Sequence, residues 1–251
     1  MRTLGVDLAA ATKKTAVAVL EWTAGSARLE HLALDVDDRE IVELFGTSSM
    51  TGIDCPVGWP DAFLPFLTGH LHFDARPVLD HDGIEGRRLL AYRDTDRFVT
   101  AHTGLIPLSV SADRLAHPAM RCAVIQAKIA AEYGPQPRDG SGRLAEVYPA
   151  ASLKAWGLLA RGYKGRGAPE ADRLGVILDQ LAAAAPWLDL AGQEDRLAAS
   201  DDLFDAVIAS LSARAVALKQ TVGPPETHAA AALTEGWIHV PSGQLAGLGG
   251  S

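Results

Sequence analysis

The chain has only two cysteines, Cys55 and Cys122, in 251 residues. That is too few for a disulfide framework and suits a reducing compartment, so a cytoplasmic protein is expected. No stretch approaches the roughly 18 consecutive apolar residues that a membrane-spanning helix needs. The opening residues 1–20 also lack the uninterrupted apolar centre of a secretory signal, because Asp7 breaks the first apolar run and Lys13 and Lys14 separate it from the second. No membrane partner is expected. Positive charge is scarce as well: 23 Lys and Arg stand against 31 Asp and Glu, a formal net charge of −8. Such a balance disfavours phosphate backbones. The deficit is regional, however. Lys154, Arg161, Lys164 and Arg166 share one segment with no acid, whereas seven acidic residues and Arg196 alone occupy 179–205. DNA or RNA therefore stays open as a partner. Internal repeats are absent.

What is present is ordinary for a globular protein: 48% apolar and 22% charged residues. The length suits one domain spanning 1–251 with a sizeable insertion. Residues 3–10 and 15–22 are short apolar runs separated by Thr12-Lys13-Lys14, the pattern of a hairpin, and a weaker strand comes near 27–34. A short helix is expected over 38–46, then a buried strand Met50–Asp54 stopped by Pro56 and Gly58. Residues 56–116, rich in Pro, Gly, His and Asp, read as an irregular insertion. Helical spacing returns over 117–133, and Leu144–Tyr148 reads as a fifth strand. Helices are expected over 150–159, 169–185 and 201–219, a closing strand over 237–240, and a frayed Gly-rich tail over 243–251.

Asp7 is the most informative residue. Leu4-Gly5-Val6 and Leu8 around it make a central strand, where a carboxylate is costly to bury unless paired. Asp54 repeats the pattern at the end of another apolar strand, although an Asp before Cys55-Pro56 also suits an Asx-turn. Two acids at the ends of neighbouring parallel strands lie where open α/β sheets bind ligands. The third element is Asp202-Leu203-Phe204-Asp205, whose i, i+3 spacing puts both carboxylates on one helix face. Ser200, Asp201 and Asp202 equally suit an N-cap and first turn. Ala206, Ala209 and Ala213 continue the stripe with small side chains that let the helix approach closely. Glu146 is a possible fifth acid. Arg93, Asp96 and Arg97 suit either a phosphate clamp or an ion-pair network holding a loop.

The combination Gly5-Val6-Asp7-Leu8-Ala9, Gly52-Ile53-Asp54-Cys55-Pro56-Val57-Gly58, Arg93-Asp94-Thr95-Asp96-Arg97, Glu146-Val147-Tyr148-Pro149 and Asp202-Leu203-Phe204-Asp205-Ala206 resembles the DUF429 family of predicted nucleases. The resemblance spans nearly the whole chain. It implies a ribonuclease H-like fold, an α/β mixed sheet of antiparallel hairpin strands and parallel strands flanked by helices. The first-strand Asp and the Asp-x-x-Asp-Ala helix are also similar to RuvC-type Holliday junction resolvases, in which the second acid is usually Glu where this chain has Asp54.

The expected activity is a metal-dependent nuclease or phosphodiesterase. Phosphodiester hydrolysis develops negative charge on the attacking and leaving oxygens, and two divalent ions about 3.5–4 Å apart stabilise both. Mg²⁺ and Mn²⁺ prefer oxygen ligands and keep several waters, so a few acids suffice. Asp7 is expected to bridge the ions, with Asp54 on one and Asp202 and Asp205 on the other. Arg161, Lys164 and Arg166 are expected to contact a substrate backbone. Three other readings compete. His70-Leu71-His72-Phe73-Asp74 partly matches a His-x-His-x-Asp zinc motif but lacks the further His, and the helical spacing of Phe63, Phe66, Leu67 and Leu71 instead puts His70 and His72 at the end of a short helix. An actin-like ATPase shares the first-strand Asp, but Ala9-Ala10-Ala11 offers no Gly-rich phosphate loop. The main alternative is a non-catalytic binding or regulatory protein of the same fold.

Overall fold

A computed structural model describes residues 1–165 and 168–250. Strands β1 (Arg2–Asp7), β2 (Ala16–Thr23) and β3 (Ser26–Leu34) form an antiparallel meander. Helix α1 (Asp38–Thr47), N-capped by the Asp37 side chain, crosses over to β4 (Met50–Asp54), which returns parallel to β1. The region expected to be irregular is largely helical: α2 (Phe63–His72), α3 (Ala75–Leu79), α4 (Gly83–Ala91) and α5 (Asp94–Thr103). After these come α6 (Ala116–Tyr133), β5 (Leu144–Glu146), α7 (Pro149–Ala155), α8 (Ala168–Ala184), β6 (Leu188–Asp189), α9 (Glu194–Ala198) and α10 (Asp201–Ala217). The chain closes with β7 (Thr221–Val222), α11 (Ala229–Glu235) and β8 (Val240–Pro241). The main sheet has the order β5-β4-β1-β2-β3-β6, with β2 antiparallel to its neighbours β1 and β3 and the β5-β4-β1 side parallel. A mixed α/β sheet flanked by helices is the class expected.

The alternation of side chains along a strand divides the sheet between two cores. Leu4, Val6, Val17, Val19 and Ile53 pack with Ile41, Phe45, Ile125 and Ile129 of α1 and α6. On the other face, Ala16, Ala18, Leu20 and Trp22 pack with α8 and with α10, which is buried continuously from Leu203 to Ala215. A helix apolar all round belongs inside a fold. Two glycines let α10 descend onto the sheet. A methyl group on Gly5 would fall 1.9 Å from the Ala206 carbonyl oxygen, and one on Gly52 2.4 Å from that of Ala209. Thr3 and Ser210 seal the contact, hydroxyl to hydroxyl, at 2.8 Å. The expected closing strand is shorter than its range, reduced to β8 and a bridge between Glu146 and Ile238. The tail expected to fray instead packs: Leu245–Gly250 form a 3₁₀ turn that buries Leu245 and Leu248. Among the described residues no helix is long and apolar enough to cross a membrane.

Candidate functional site

Asp7 and Asp54 end β1 and β4 and are partners in the parallel register, so both carboxylates leave the sheet at the same level. Thr3, Gly5 and Asp7 share one strand face by period two, and it is the face covered by α10. Because α10 runs antiparallel to β1, its N-terminal end reaches the carboxyl ends of the strands. Asp205, buried within that helix, completes a trio whose carboxylate oxygens all lie within 4.8 Å of one another. Among the described residues this is the one acidic group compact enough to hold a metal ion. Asp202 stays outside it, partly exposed on the first turn of α10. Three residues back along a helix is about 4.5 Å of rise, which carries Asp202 past the strand ends. Burial and the neighbouring Asp201 charge still raise its pKa.

A lysine has entered the cluster. Gly162 and Gly165, both at positive φ, turn the loop after α7 back on itself and bring Lys164 over the acids. Its Nζ lies 2.5 Å from Asp205 Oδ2 and 3.9 Å from Asp54 Oδ2. The Tyr163 hydroxyl donates to the other Asp205 oxygen at 2.8 Å. Asp201 fixes the loop by accepting from the Gly165 amide at 2.9 Å, so it does more than favour the helix start. Burial pushes all three acids upward. Asp7 rises well above the ordinary range, through burial and then the charges of Asp205 and Asp54. Burial raises Asp54 to about 7 against the pull of Lys164. Asp205 is raised by burial and eased by Lys164 and Tyr163. Burial opposes the charge of Lys164, but Asp205 and Asp54 outweigh it and hold the ammonium well above the usual lysine range. Crowding of this kind is relieved by protons or by a cation, and the Lys164 ammonium supplies one.

The other expected residues fall into different surroundings. Arg93 is fully buried and makes a bidentate pair with Glu146, both bonds 2.7 Å, while reaching Asp96 at 2.8 Å and the Glu235 carbonyl at 3.0 Å. Glu146 also accepts from the Val57 amide at 3.1 Å. With every strong donor and acceptor engaged inside the protein, this network ties the helical region to the sheet. Of the basic segment, Lys154 bonds the Thr103 carbonyl and Arg161 the Gly104 carbonyl at 3.1 Å, both at the C-terminal end of α5, where cations are favoured. Arg166 lies outside the described residues. His70 and His72 are exposed on the last turn of α2 and join no cluster among the described residues.

A cleft of about 510 Å³ opens above the acids. Its lining includes Asp7, Asp54, Glu146, Lys164, Arg161, Tyr148 of the Glu146-Val147-Tyr148-Pro149 run, and residues that pattern reading had not singled out, Leu105–Leu108 and Arg114. They sit on connecting segments, where periodicity carries no signal. Lys164 was visible only as part of a charge cluster. The aromatic-lysine pair bracketed by Gly162 and Gly165 was the available hint that its loop turns inward.

Fold and site together define a mixed-sheet α/β protein with an acidic centre at the carboxyl ends of two parallel strands. The chain belongs to the DUF429 family, proteins of unknown function, whose pattern it matches over residues 5–229. No curated protein and no solved structure matches it.

Proposed function

We propose that the chain is a Mg²⁺- or Mn²⁺-dependent phosphodiesterase acting on nucleic acid. The observation that carries this reading is the convergence of Asp7, Asp54 and Asp205 within 4.8 Å. Hard carboxylate oxygens are the donors that Mg²⁺ and Mn²⁺ prefer, and acids so crowded and buried are relieved by a divalent ion as well as by an ammonium. The donor set therefore fits the metal. The order of three antiparallel strands, a helix and a parallel fourth strand is also the one a ribonuclease H-like layout calls for. Asp7, Asp54 and Asp205 would hold the metal. Bound there, it would stabilise charge developing on phosphate oxygens. Asp7, hemmed in by the other two acids, is the natural shared ligand if two ions bind, and Asp202 would have to turn inward to serve the second. Tyr163 holds one oxygen of Asp205 and so fixes the direction of the other. Lys164, beside two of the acids, is placed to neutralise a phosphate drawn into the cleft once a metal has taken its position.

One observation favours a second reading, a non-catalytic binding or regulatory protein. The ammonium of Lys164 already compensates the acids, as a permanent internal ion pair would. Isothermal titration of Mn²⁺ into wild type and Asp7→Asn separates the two, together with cleavage assays on single-stranded, duplex and branched substrates. Phosphodiesterase function requires Mn²⁺ uptake and cleavage by wild type and loss of both in Asp7→Asn. Equal uptake by the two proteins, or no cleavage of any substrate, leaves the second reading in place.

A further inference from the structure

The cleft that ends on Asp7 and Asp54 has a second wall. The segment joining α5 to α6 is neither helix nor strand where it passes the cleft, and it lines it with Leu105, Ile106, Pro107 and Leu108. Ile106 is 69% exposed and Leu108 37% exposed, so apolar side chains stand in water a short way from an acidic centre. Tyr148 lines the same space, and its hydroxyl has no hydrogen-bond partner among the described residues. Arg114 stands on the rim, exposed and without an ion pair or hydrogen bond among the described residues. This sets it apart from Arg93, Arg121 and Arg143, whose guanidinium groups are all spent on internal partners. One cleft thus brings exposed apolar side chains and an uncommitted cation together with the acidic centre.

Resting on the phosphodiesterase reading, we propose that this cleft seats one unpaired nucleotide, with its base against Ile106, Leu108 and Tyr148 and its phosphate between Arg114 and the carboxylate centre. A cavity of about 510 Å³ is of the size that encloses one small guest, within the usual range of about 300–1,000 Å³. An unpaired base offers a bare face to stack on aromatic and apolar side chains, whereas a paired base keeps its faces in the helical stack. Charge points the same way. A duplex presents two dense phosphate backbones, and a protein of net charge −8 with one uncommitted arginine at this cleft is poorly equipped to hold both. The unpaired nucleotide could belong to a strand or to a small phosphodiester, and the chemistry recognised is the same.

The test is fluorescence anisotropy of the full chain in Mn²⁺ buffer with a labelled 12-nucleotide strand made cleavage-resistant by phosphorothioate links, free or annealed to its complement, and a dinucleotide as competitor, with cleavage followed separately on the unmodified strand. The unpaired strand is expected to bind at least tenfold more tightly than the duplex. Ile106→Asp, at an exposed position that leaves the fold undisturbed, should weaken strand binding at least fivefold without changing Mn²⁺ uptake by calorimetry. Arg114→Ser should lower the salt slope of binding by about one. A dinucleotide competing as well as the strand assigns the cleft to small phosphodiesters, and a much weaker one assigns it to strands. The proposal is overturned by equal or tighter duplex binding, by an unchanged affinity in Ile106→Asp, or by no binding of any probe. Strand binding that responds to both variants but is never followed by cleavage would keep the cleft assignment and remove the phosphodiesterase. Asp7-dependent cleavage without preference for unpaired substrate would do the reverse.

Discussion

Asp54 is held to about 7 by burial, against an ordinary value of 3.8, and this fixes the sign of a pH dependence. Between those two values the folded protein keeps a proton that the unfolded chain has lost, so this residue's contribution to stability falls as the pH rises through that window. Metal-free Asp54→Asn should therefore gain in melting temperature on wild type between pH 5 and pH 8. Parallel curves for the two proteins would show that Asp54 ionises freely in the folded state. Lys164 gives a second residue-scale outcome. Its ammonium sits 2.5 Å from Asp205, where a divalent ion would compete with it. Lys164→Met should tighten Mn²⁺ binding by about tenfold, equivalent to about 1.4 kcal/mol, and lower the melting temperature of the metal-free protein at pH 8. An unchanged titration would mean that metal and ammonium do not share a place. Of the trio, Asp7 and Asp54 were legible in the sequence because an acid at the end of an apolar strand has few reasons to be there. The choice between Asp202 and Asp205 was not legible. Helical spacing gives a shared face, but only the depth at which α10 docks decides which acid meets the strands.

That depth is a property of elements, and it is set by Gly5 and Gly52. A methyl group at position 5 would lie 1.9 Å from the Ala206 carbonyl oxygen, backbone that cannot yield without lifting the helix. Gly5→Ala should cost about 3 kcal/mol in urea unfolding, the upper end of ordinary overpacking, and should abolish Mn²⁺ uptake by withdrawing Asp205. A variant of normal stability would contradict the packing described. The start of the same helix carries a milder prediction. The Ser200 hydroxyl accepts from the Leu203 amide at 3.3 Å, so Ser200→Ala should cost about 1 kcal/mol. Strands β1 to β4 and the long helices were legible because each repeats its period, whereas the two-residue strands β6 and β7 carry no period and were not. Helix α2 showed in the helical spacing of Phe63, Phe66, Leu67 and Leu71, but α3 to α5 were not legible, since Pro, Gly and His interrupt their short stripes. The final turn was hidden for a related reason: two leucines among glycines show no period, and their burial depends on a core built by distant segments.

Across the whole molecule, one buried guanidinium joins parts that lie far apart in the sequence. Arg93 links the start of α5 to Glu146 on β5 and to the carbonyl at the end of α11. Arg93→Met would leave Glu146 and Asp96 buried without their cation, and it should cost about 3–5 kcal/mol in chemical unfolding. A loss below about 1 kcal/mol would show that both acids had become neutral instead. The pairing of Asp7 with Asp54 in the β1–β4 register has a kinetic consequence. A slip of one residue between these strands would turn one of the acids toward α1 and α6, and the third acid arrives only when a helix from the last quarter of the chain docks. No fragment and no mispaired intermediate can assemble the trio. During refolding, Mn²⁺ capture should therefore lag behind the return of helical circular dichroism, because distant pairings form later than local turns. The affinity for an ion would then act as a clock that starts only when the topology is complete.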